Sequence, residues 1–275
     1  MKLEGRIALV TGAGRGVGAA TARMLAGEGA WLVVNDLDAD AAQETVQAIA
    51  STGGRATACV GSVTDAGFPE HLIRTSLAYF GGIDIIVNNA GYIWNSAIHN
   101  HSDEQWQAML DMHVTAPFRI LRAFAPWLRE QSGREVAADG VARCRKVVNV
   151  SSVSGTTGAA TQAGYSAGKA AVIGLTRTLA KEWGRFNVCV NCVAFGHIDT
   201  RLTQTYTGPA PTIAVGGRDY RVGLTQAQIE AVQRSTSLQR TGTPEDAAGA
   251  ITLFCLPQSD FITGEVLTCS GGAGM

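Results

Sequence analysis

Tyr165 and Lys169 have the side-chain types and the spacing of an acid–base pair. Residues four apart lie on one face of a helix, so the phenol and the ammonium group can point into the same cleft. A phenol titrates near pH ~10, and a fixed cation beside it lowers that pKa and makes proton exchange easier at neutral pH. The alternative is a packed ring beside a solvated charge. Ser152 stands thirteen residues before Tyr165, at the end of an apolar run, and adds a hydroxyl to the candidate catalytic groups.

The elements that must position these groups alternate along the chain as short apolar runs and longer helical patterns. This alternation is typical of a parallel sheet wrapped by helices. With 275 residues, of which 46% are hydrophobic, the chain can bury one sizeable core, and we predict a single α/β domain. The predicted strands are residues 6–11, 31–36, 56–60, 83–87, 146–152, 187–193 and 265–268.

A glycine-rich turn joins the first predicted strand to a predicted helix over residues 16–28. Its sequence is Gly12-Ala-Gly-Arg-Gly-Val-Gly18. Glycines at a strand-to-helix turn let the backbone approach a pyrophosphate, whose charge then lies at the helix N-terminus. The placement favours a dinucleotide site over an ordinary tight turn.

The second predicted strand ends at Asp36, 18 positions after Gly18. A carboxylate at this position can accept hydrogen bonds from an adenosine ribose and repels a 2′-phosphate, which favours NAD over NADP. Arg15 lies inside the glycine turn, where a guanidinium can meet a 2′-phosphate, so NADP stays open. The alternative for Asp36 is an exposed aspartate in a turn.

Composition and charge exclude several other classes of function. The formal net charge is -1, and basic and acidic residues are spread along the chain, so we predict no nucleic-acid or membrane partner. No apolar run is long enough to cross a bilayer or to form a signal peptide, which predicts a cytoplasmic protein.

Cys189 and Cys192 would face opposite sides of a strand, and His99 and His101 fit a loop, so we predict no metal site.

Two later segments are predicted from their patterns alone. Residues 103–130 form a long helical region interrupted near His113 and Pro117, and the polar residues 131–145 are predicted to be a surface excursion. Residues 201–238 contain Gly216-Gly217, several prolines and a predicted short helix over residues 225–234, and we expect them to form a substrate lid. The lid arginines could bind an acyl-thioester phosphate or form an ordinary solvated face; they are Arg201, Arg218, Arg221 and Arg234.

Over essentially its whole length the chain resembles the short-chain dehydrogenase/reductase family. The resemblance implies a Rossmann-type, doubly wound sheet of about seven parallel strands, a nicotinamide cofactor across their carboxyl edge, and a homotetramer. The matching pieces are the turn 11–18, Asn88-Asn-Ala-Gly91, Ser152 with Tyr165 and Lys169, residues 191–196, Ile198-Asp-Thr200 and Ser270-Gly-Gly272.

The resemblance also implies roles for individual residues. Tyr165 exchanges the proton, Ser152 hydrogen-bonds the substrate oxygen, and Lys169 binds the nicotinamide ribose and lowers the Tyr165 pKa. The reaction is alcohol to ketone or its reverse, with hydride moving to or from the cofactor. The expected cofactor-binding residues are Gly12, Arg15, Gly16, Val17, Gly18, Asp36, Leu37, Ser62, Val63, Asn89, Ala90, Gly91, Tyr165, Lys169, Gly196, Ile198 and Thr200.

Three positions depart from the family pattern. His113 replaces the usual asparagine of a proton relay; it would either pass a proton, with a pKa near ~6.5 that adds a pH dependence, or satisfy backbone groups at a helix kink. Ser62 replaces an aspartate that meets the adenine, and Phe195 replaces a proline, so the following loop is expected to be less rigid. His113 and the residues 34–37 together make the chain resemble one branch of the family, that of the 3-oxoacyl reductases and D-3-hydroxyacyl-CoA dehydrogenases.

Two classes of function therefore follow from the sequence. The first is an NAD(P)-dependent oxidoreductase of 3-oxoacyl or 3-hydroxyacyl thioesters, with a cyclic, steroid-like or secondary-metabolite alcohol as the alternative substrate. The second is a catalytically silent dinucleotide-sensing protein. A sensor could lose Ser152, Tyr165 or Lys169 without penalty, and all three are present, which favours the enzyme.

Overall fold

A seven-stranded parallel sheet forms the centre of the protein. A computed structural model describes residues 1–215 and 217–273 of the chain. The strands of the sheet are β1 (Ile7–Val10), β2 (Trp31–Asp36), β3 (Arg55–Val60), β4 (Ile85–Asn88), β5 (Arg145–Ser152), β6 (Val188–Phe195) and β11 (Val266–Cys269). Their order across the sheet is β11-β6-β5-β4-β1-β2-β3, and every strand pair is parallel.

The order of the strands creates a crevice at one edge of the sheet. The chain builds β1, β2 and β3 outward on one side and then returns to place β4 on the other side of β1. The helices that follow β1 and β4 therefore leave on opposite faces, and a crevice opens between them at the carboxyl ends of the strands. The predicted Rossmann-type fold of seven parallel strands is confirmed.

Helices cover both faces of the sheet, because its central strands are apolar on both sides. Leu25 and Ile251 belong to the buried cluster on one face, and Leu72 and Phe124 belong to the cluster on the other. No helix within the described residues is both long enough and apolar enough to cross a membrane. The helices are α1 (Gly16–Gly27), α2 (Ala39–Ser51), α3 (Phe68–Phe80), α4 (Asp103–Leu110), α5 (Ala116–Asp139), α6 (Val153–Thr157), α7 (Ala163–Trp183), α8 (Gln226–Ser235) and α9 (Pro244–Cys255).

The region before β5 differs from the sequence prediction. The interruption near His113 is a π-helical turn, Asp111–Thr115, between α4 and α5. The helical region predicted to end at residue 130 continues to Asp139 as α5, so the surface excursion predicted over residues 131–145 begins as helix and only residues 140–144 lie outside regular elements. The extension is held because Ser132 is buried and Glu135 forms an ion pair with Arg145 at the start of β5.

The segment predicted as a lid contains more structure than its pattern indicates. The predicted short helix is α8, and the Thr225 hydroxyl caps it by accepting a hydrogen bond from the Gln228 N–H. Gly216 lies outside the described residues. Four short strands that the sequence did not predict precede α8; they are β7 (Thr205–Tyr206), β8 (Thr212–Val215), β9 (Arg218–Arg221) and β10 (Leu224–Thr225).

An aromatic cluster attaches this segment to the body of the protein. Tyr220 of β9 is buried, with its ring 4.8 Å from the ring of Tyr92 and 5.1 Å from that of Trp94, measured between centroids. Tyr92 and Trp94 follow β4, so the cluster joins the β8–β9 hairpin to the carboxyl edge of the sheet. Sequence reasoning missed this cluster, because Tyr220 lies more than a hundred residues after Tyr92 and Trp94.

Candidate active site

A cleft of about 880 Å³ lies at the carboxyl edge of the sheet. Residues at or just after the ends of five strands line it, namely Gly12, Asp36, Asn89, Ser152 and Gly196. Every residue predicted for the site lines this cleft except Lys169 and His113, which are buried behind it. A second hollow of about 640 Å³, lined by α5 and by residues 185–186, contains none of them.

Hydrogen bonds of the Asn89 side chain hold the glycine turn against the end of β4. Its side-chain Nδ2 donates to the carbonyls of Thr11 (2.9 Å) and Gly12 (3.1 Å), while the Thr11 hydroxyl accepts from the N–H groups of Asn89 and Ala90. Gly18 is required for the same turn, since a Cβ there would lie 2.0 Å from the Gly12 oxygen. The turn and the end of β4 therefore form one rigid wall of the cleft.

Asp36 is fixed at the end of β2 by two backbone donors. The Gly14 N–H donates to Oδ2 at 2.9 Å, and the Asp38 N–H donates to Oδ1 at 3.1 Å. The guanidinium of Arg15, in the neighbouring glycine turn, forms an ion pair of 2.6 Å with the Asp38 carboxylate. The Ala41 N–H and then Arg15 hold the pKa of Asp38 below its ordinary value. Sequence reasoning missed Asp38, although it directly follows the Asp36-Leu37 pair.

The loops on the other side of the cleft are tied to the sheet. Phe195, where the family pattern has proline, is the last residue of β6 and pairs with Ser152 and Cys269 on its two neighbours. Thr203 holds the following turn, because its hydroxyl donates to the Ile198 carbonyl and accepts from the Thr200 N–H. Ser62 shares a hydrogen bond of 2.8 Å with Thr64.

Ser152 and Tyr165 line the cleft, and Lys169 lies behind them. Ser152 ends β5 and caps α6 by accepting from the Ser154 N–H at 3.1 Å, while Tyr165 and Lys169 share one face of α7. The Lys169 ammonium is 5.7 Å from the centroid of the Tyr165 ring and donates to the Val150 carbonyl at 2.8 Å.

Burial shifts the pKa values of both Tyr165 and Lys169. Burial raises the pKa of Tyr165 to about 12, and the Ser152 hydroxyl acts in the opposite direction. Burial also lowers the pKa of Lys169 to about 8. Burial outweighs the Ser152 hydroxyl at Tyr165, and the lowering of its pKa by Lys169 stays a prediction.

His113 is a buried neighbour of Tyr165. The two rings meet edge to face with centroids 5.0 Å apart, and His113 Nε2 lies 2.9 Å from the Tyr92 carbonyl oxygen. A carbonyl only accepts, so Nε2 carries the proton and Nδ1 is an acceptor. Burial and the Lys169 charge hold the pKa of His113 well below its ordinary value. This direction favours the neutral ring, and the contact with the Tyr92 carbonyl fits the role of satisfying backbone groups at the helix kink, while the proton-passing role stays a prediction.

Two glycines make room for the His113 ring. A Cβ at Gly91 would lie 2.8 Å from Cε1 of His113, and a Cβ at Gly168 would lie 3.0 Å from its Cβ. Gly168 is the signal that sequence reasoning overlooked, since a glycine inside a helix is unfavourable and implies a packing reason.

Comparison with known proteins decides which family has this arrangement. The family model described as short chain dehydrogenase matches residues 6–209. The chain belongs to the short-chain dehydrogenase family. As a short-chain dehydrogenase it is an NAD(P)-dependent oxidoreductase that acts on CH–OH or keto groups.

Relatives of this short-chain dehydrogenase match it from end to end. A 3-oxoacyl acyl-carrier-protein reductase of Synechocystis is 36% identical over 276 residues, covering 99% of this chain and 98% of the relative. The corresponding reductase of Vibrio cholerae, FabG, is 34% identical and covers 100% of both chains. A solved mutant short-chain dehydrogenase/reductase of Serratia marcescens has a TM-score of 0.80 at 26% identity and covers 99% of each chain.

The cleft of the dehydrogenase fits a dinucleotide at the glycine turn. Helix α1 begins at Gly16 without a side-chain cap and has no acidic residue in its first turn. The N–H groups of Gly16, Val17 and Gly18 have no side-chain cap within the described part of the chain, and these residues line the cleft, so a pyrophosphate can accept their hydrogen bonds. Asp36 lies beside the turn with its carboxylate already oriented, which suits an adenosine ribose.

Proposed function

We propose that this dehydrogenase interconverts 3-oxoacyl and 3-hydroxyacyl thioesters. The observation that carries the proposal is the placement of Ser152 and Tyr165 in one cleft with the glycine turn, with Lys169 buried behind them. Full-length relatives from Synechocystis and Vibrio cholerae are named for the reduction of a 3-oxoacyl group on acyl carrier protein, which supports the substrate class.

Each catalytic side chain has a distinct task in this proposal. Tyr165 transfers the proton to or from the substrate oxygen, and the Ser152 hydroxyl holds that oxygen by a hydrogen bond. Lys169 binds the nicotinamide ribose and supplies the positive charge behind Tyr165. The cofactor, when bound, supplies or accepts the hydride at the carbinol carbon. Gly196, Ile198 and Thr200 face the same part of the cleft and would hold the carboxamide end.

The state of Tyr165 favours ketone reduction. With a pKa of about 12, the phenol is protonated at neutral pH and has a proton to donate to a developing alkoxide. A general acid must carry its proton when the substrate arrives, and this one does. We therefore expect the reduction of 3-oxoacyl thioesters to be faster than the reverse reaction at pH 7.

His113 is proposed as a positioning residue for Tyr165. Its edge-to-face contact limits the rotation of the phenol ring, and its protonated Nε2 is already bound to the Tyr92 carbonyl. Nδ1 has no hydrogen-bond partner among the described residues, so it is available to accept from a water molecule near Lys169. In this arrangement the neutral ring takes the acceptor role of an amide oxygen, which explains why a histidine can replace the family's asparagine.

We expect NAD to be the preferred cofactor, because the adenosine end of the cleft contains two carboxylates and one guanidinium. NADH should bind at least tenfold tighter than NADPH, which corresponds to about 1.4 kcal/mol. Asp36→Ala should narrow this difference by removing the ribose acceptor. Asp38→Asn should raise NADPH affinity about tenfold, since it releases Arg15 for a 2′-phosphate while asparagine keeps the helix cap.

Titration of cofactor fluorescence with each reduced cofactor measures these affinities. Asp40→Asn is the matched control, because Asp40 is an exposed acid on the first turn of α2 that does not line the cleft. The same NADH preference in Asp36→Ala as in the wild type would show that Asp36 does not recognise the ribose.

Steady-state turnover of a substrate panel with NADH and NADPH tests the proposed function. The panel contains 3-oxoacyl thioesters, a cyclic ketone, a steroid ketone and a keto sugar. We expect kcat/KM for the thioesters to exceed the other values by at least about tenfold. Preference for a cyclic or steroid ketone would keep the chemistry and replace the substrate class, whereas cofactor binding without any turnover would identify a dinucleotide sensor.

A further inference from the structure

The four arginines of the segment 201–238 fall into two groups. Arg218 forms an ion pair of 2.6 Å with Glu104, and its guanidinium carbon lies 4.8 Å from the Trp94 ring centroid. Arg234 lies within 3.8 Å of Glu230, one turn away on α8. These two guanidinium groups have structural partners and do not line the cleft.

Arg201 and Arg221 form the second group. Both line the cleft and are exposed, and neither forms an ion pair with an aspartate or glutamate of the described residues. Arg221 follows Tyr220 on β9, and neighbouring strand residues face opposite sides. Arg221 therefore does not share the buried position of Tyr220 against Tyr92 and Trp94, and its side chain lines the cleft.

The negative and the positive side chains that line the cleft therefore come from different parts of the chain. The two carboxylates of the cleft, Asp36 and Asp38, lie at the carboxyl end of β2 and just after it, and Asp38 forms an ion pair with Arg15. The two lining guanidinium groups that have no ion-pair partner among the described residues, Arg201 and Arg221, both belong to the segment 201–238. A guanidinium that faces a cleft without a carboxylate presents forked N–H donors that match a phosphate.

We infer that Arg201 and Arg221 bind a phosphate of the substrate's thioester carrier. Coenzyme A and the prosthetic arm of acyl carrier protein both attach the acyl thioester to a pantetheine chain that ends in phosphate. The inference rests on the proposed function and adds that the enzyme recognises an anion remote from the reacting carbonyl. The cofactor pyrophosphate is the competing anion, and the uncapped first turn of α1 already offers that group its own donors.

Two thioesters with the same acyl group separate these possibilities. Acetoacetyl-CoA carries the phosphates, and the acetoacetyl thioester of N-acetylcysteamine has the same reacting end without charge. We expect the wild type to have a KM for acetoacetyl-CoA that is lower by about 10–100-fold, as charge-assisted hydrogen bonds imply. The double variant R201Q/R221Q should bring the two KM values to within about threefold of each other, chiefly by raising the one for acetoacetyl-CoA.

Arg234→Gln is the matched control and should keep the wild-type ratio of KM values. An equal rise of both KM values in R201Q/R221Q would overturn the inference, because the arginines would then not distinguish the carrier. A weaker NADH affinity in that variant, measured by fluorescence, would assign the guanidinium groups to the cofactor pyrophosphate instead. Absence of wild-type turnover on both thioesters would overturn the proposed function, and this inference with it.

Discussion

Tyr165→Phe should lower kcat for reduction by about 10²–10⁴-fold, the range expected for the loss of a general acid. The phenol lines the cleft beside Ser152, and its raised pKa keeps it protonated. Phenylalanine keeps the ring that packs against His113 and removes only the hydroxyl, so the fold and the cofactor site should remain. Single-turnover reduction with saturating cofactor measures the effect on the chemical step.

Tyr79→Phe is the matched control, because Tyr79 is 66% exposed on α3 and away from the cleft. It should leave kcat unchanged. NADH affinity should remain within about twofold of the wild type in both variants, since neither change touches the glycine turn. Turnover by Tyr165→Phe within tenfold of the wild-type rate would remove Tyr165 from the proton transfer.

Glu135→Gln should lower the free energy of unfolding by about 3–5 kcal/mol, the cost of leaving a buried charge without its partner. The Arg145 side chain is only 3% exposed, and its two terminal nitrogens donate to Glu135 at 2.6 and 2.9 Å. Its Nε donates to the Ile83 carbonyl, and its guanidinium carbon lies 5.2 Å from the Trp127 ring centroid, so it cannot turn toward water without losing these contacts. Urea unfolding followed by circular dichroism measures the loss.

Glu130→Gln is the control for this stability prediction. Glu130 pairs with Arg134 on the same helix, but both side chains are at least 65% exposed, so the loss should stay below about 1 kcal/mol. A loss this small in Glu135→Gln would show that the buried pair is not a source of stability.

The stabilising effect of Glu135 should also depend on pH. The Arg145 guanidinium lowers the pKa of Glu135 from its usual 4.5 to about 2. A carboxylate with a lowered pKa stabilises the folded state above its ordinary pKa, and this contribution disappears as the pH falls toward the folded value. The difference between the wild type and Glu135→Gln should therefore be constant above pH ~5 and shrink between about pH 4.5 and pH 2.

Local sequence identified the central sheet and the glycine turn because these depend on near neighbours in the chain, whereas most of the other cleft-lining residues were expected from the family resemblance. An apolar run of four to eight residues bounded by turns favours a buried strand, and glycines between strand and helix favour a phosphate-binding turn. The extension of α5 was missed because residues 131–139 are polar and gave no helical pattern strong enough to outweigh it. Its stability comes from contacts of Ser132 and Glu135 with other elements. The homotetramer stays a prediction.

The sequence by itself determined the class of fold and of chemistry: a parallel α/β sheet with a glycine turn, and an acid–base pair four residues apart on a helix. Only the tertiary structure decided the state of those groups. In the folded protein Arg15 forms an ion pair with Asp38, and His113 is buried beside Tyr165. Arg201 and Arg221 line the cleft. The physical reason is that a charge or a pKa depends on solvent exposure and on partners brought together by folding, whereas strands, helices and turns are encoded by spacing along the chain.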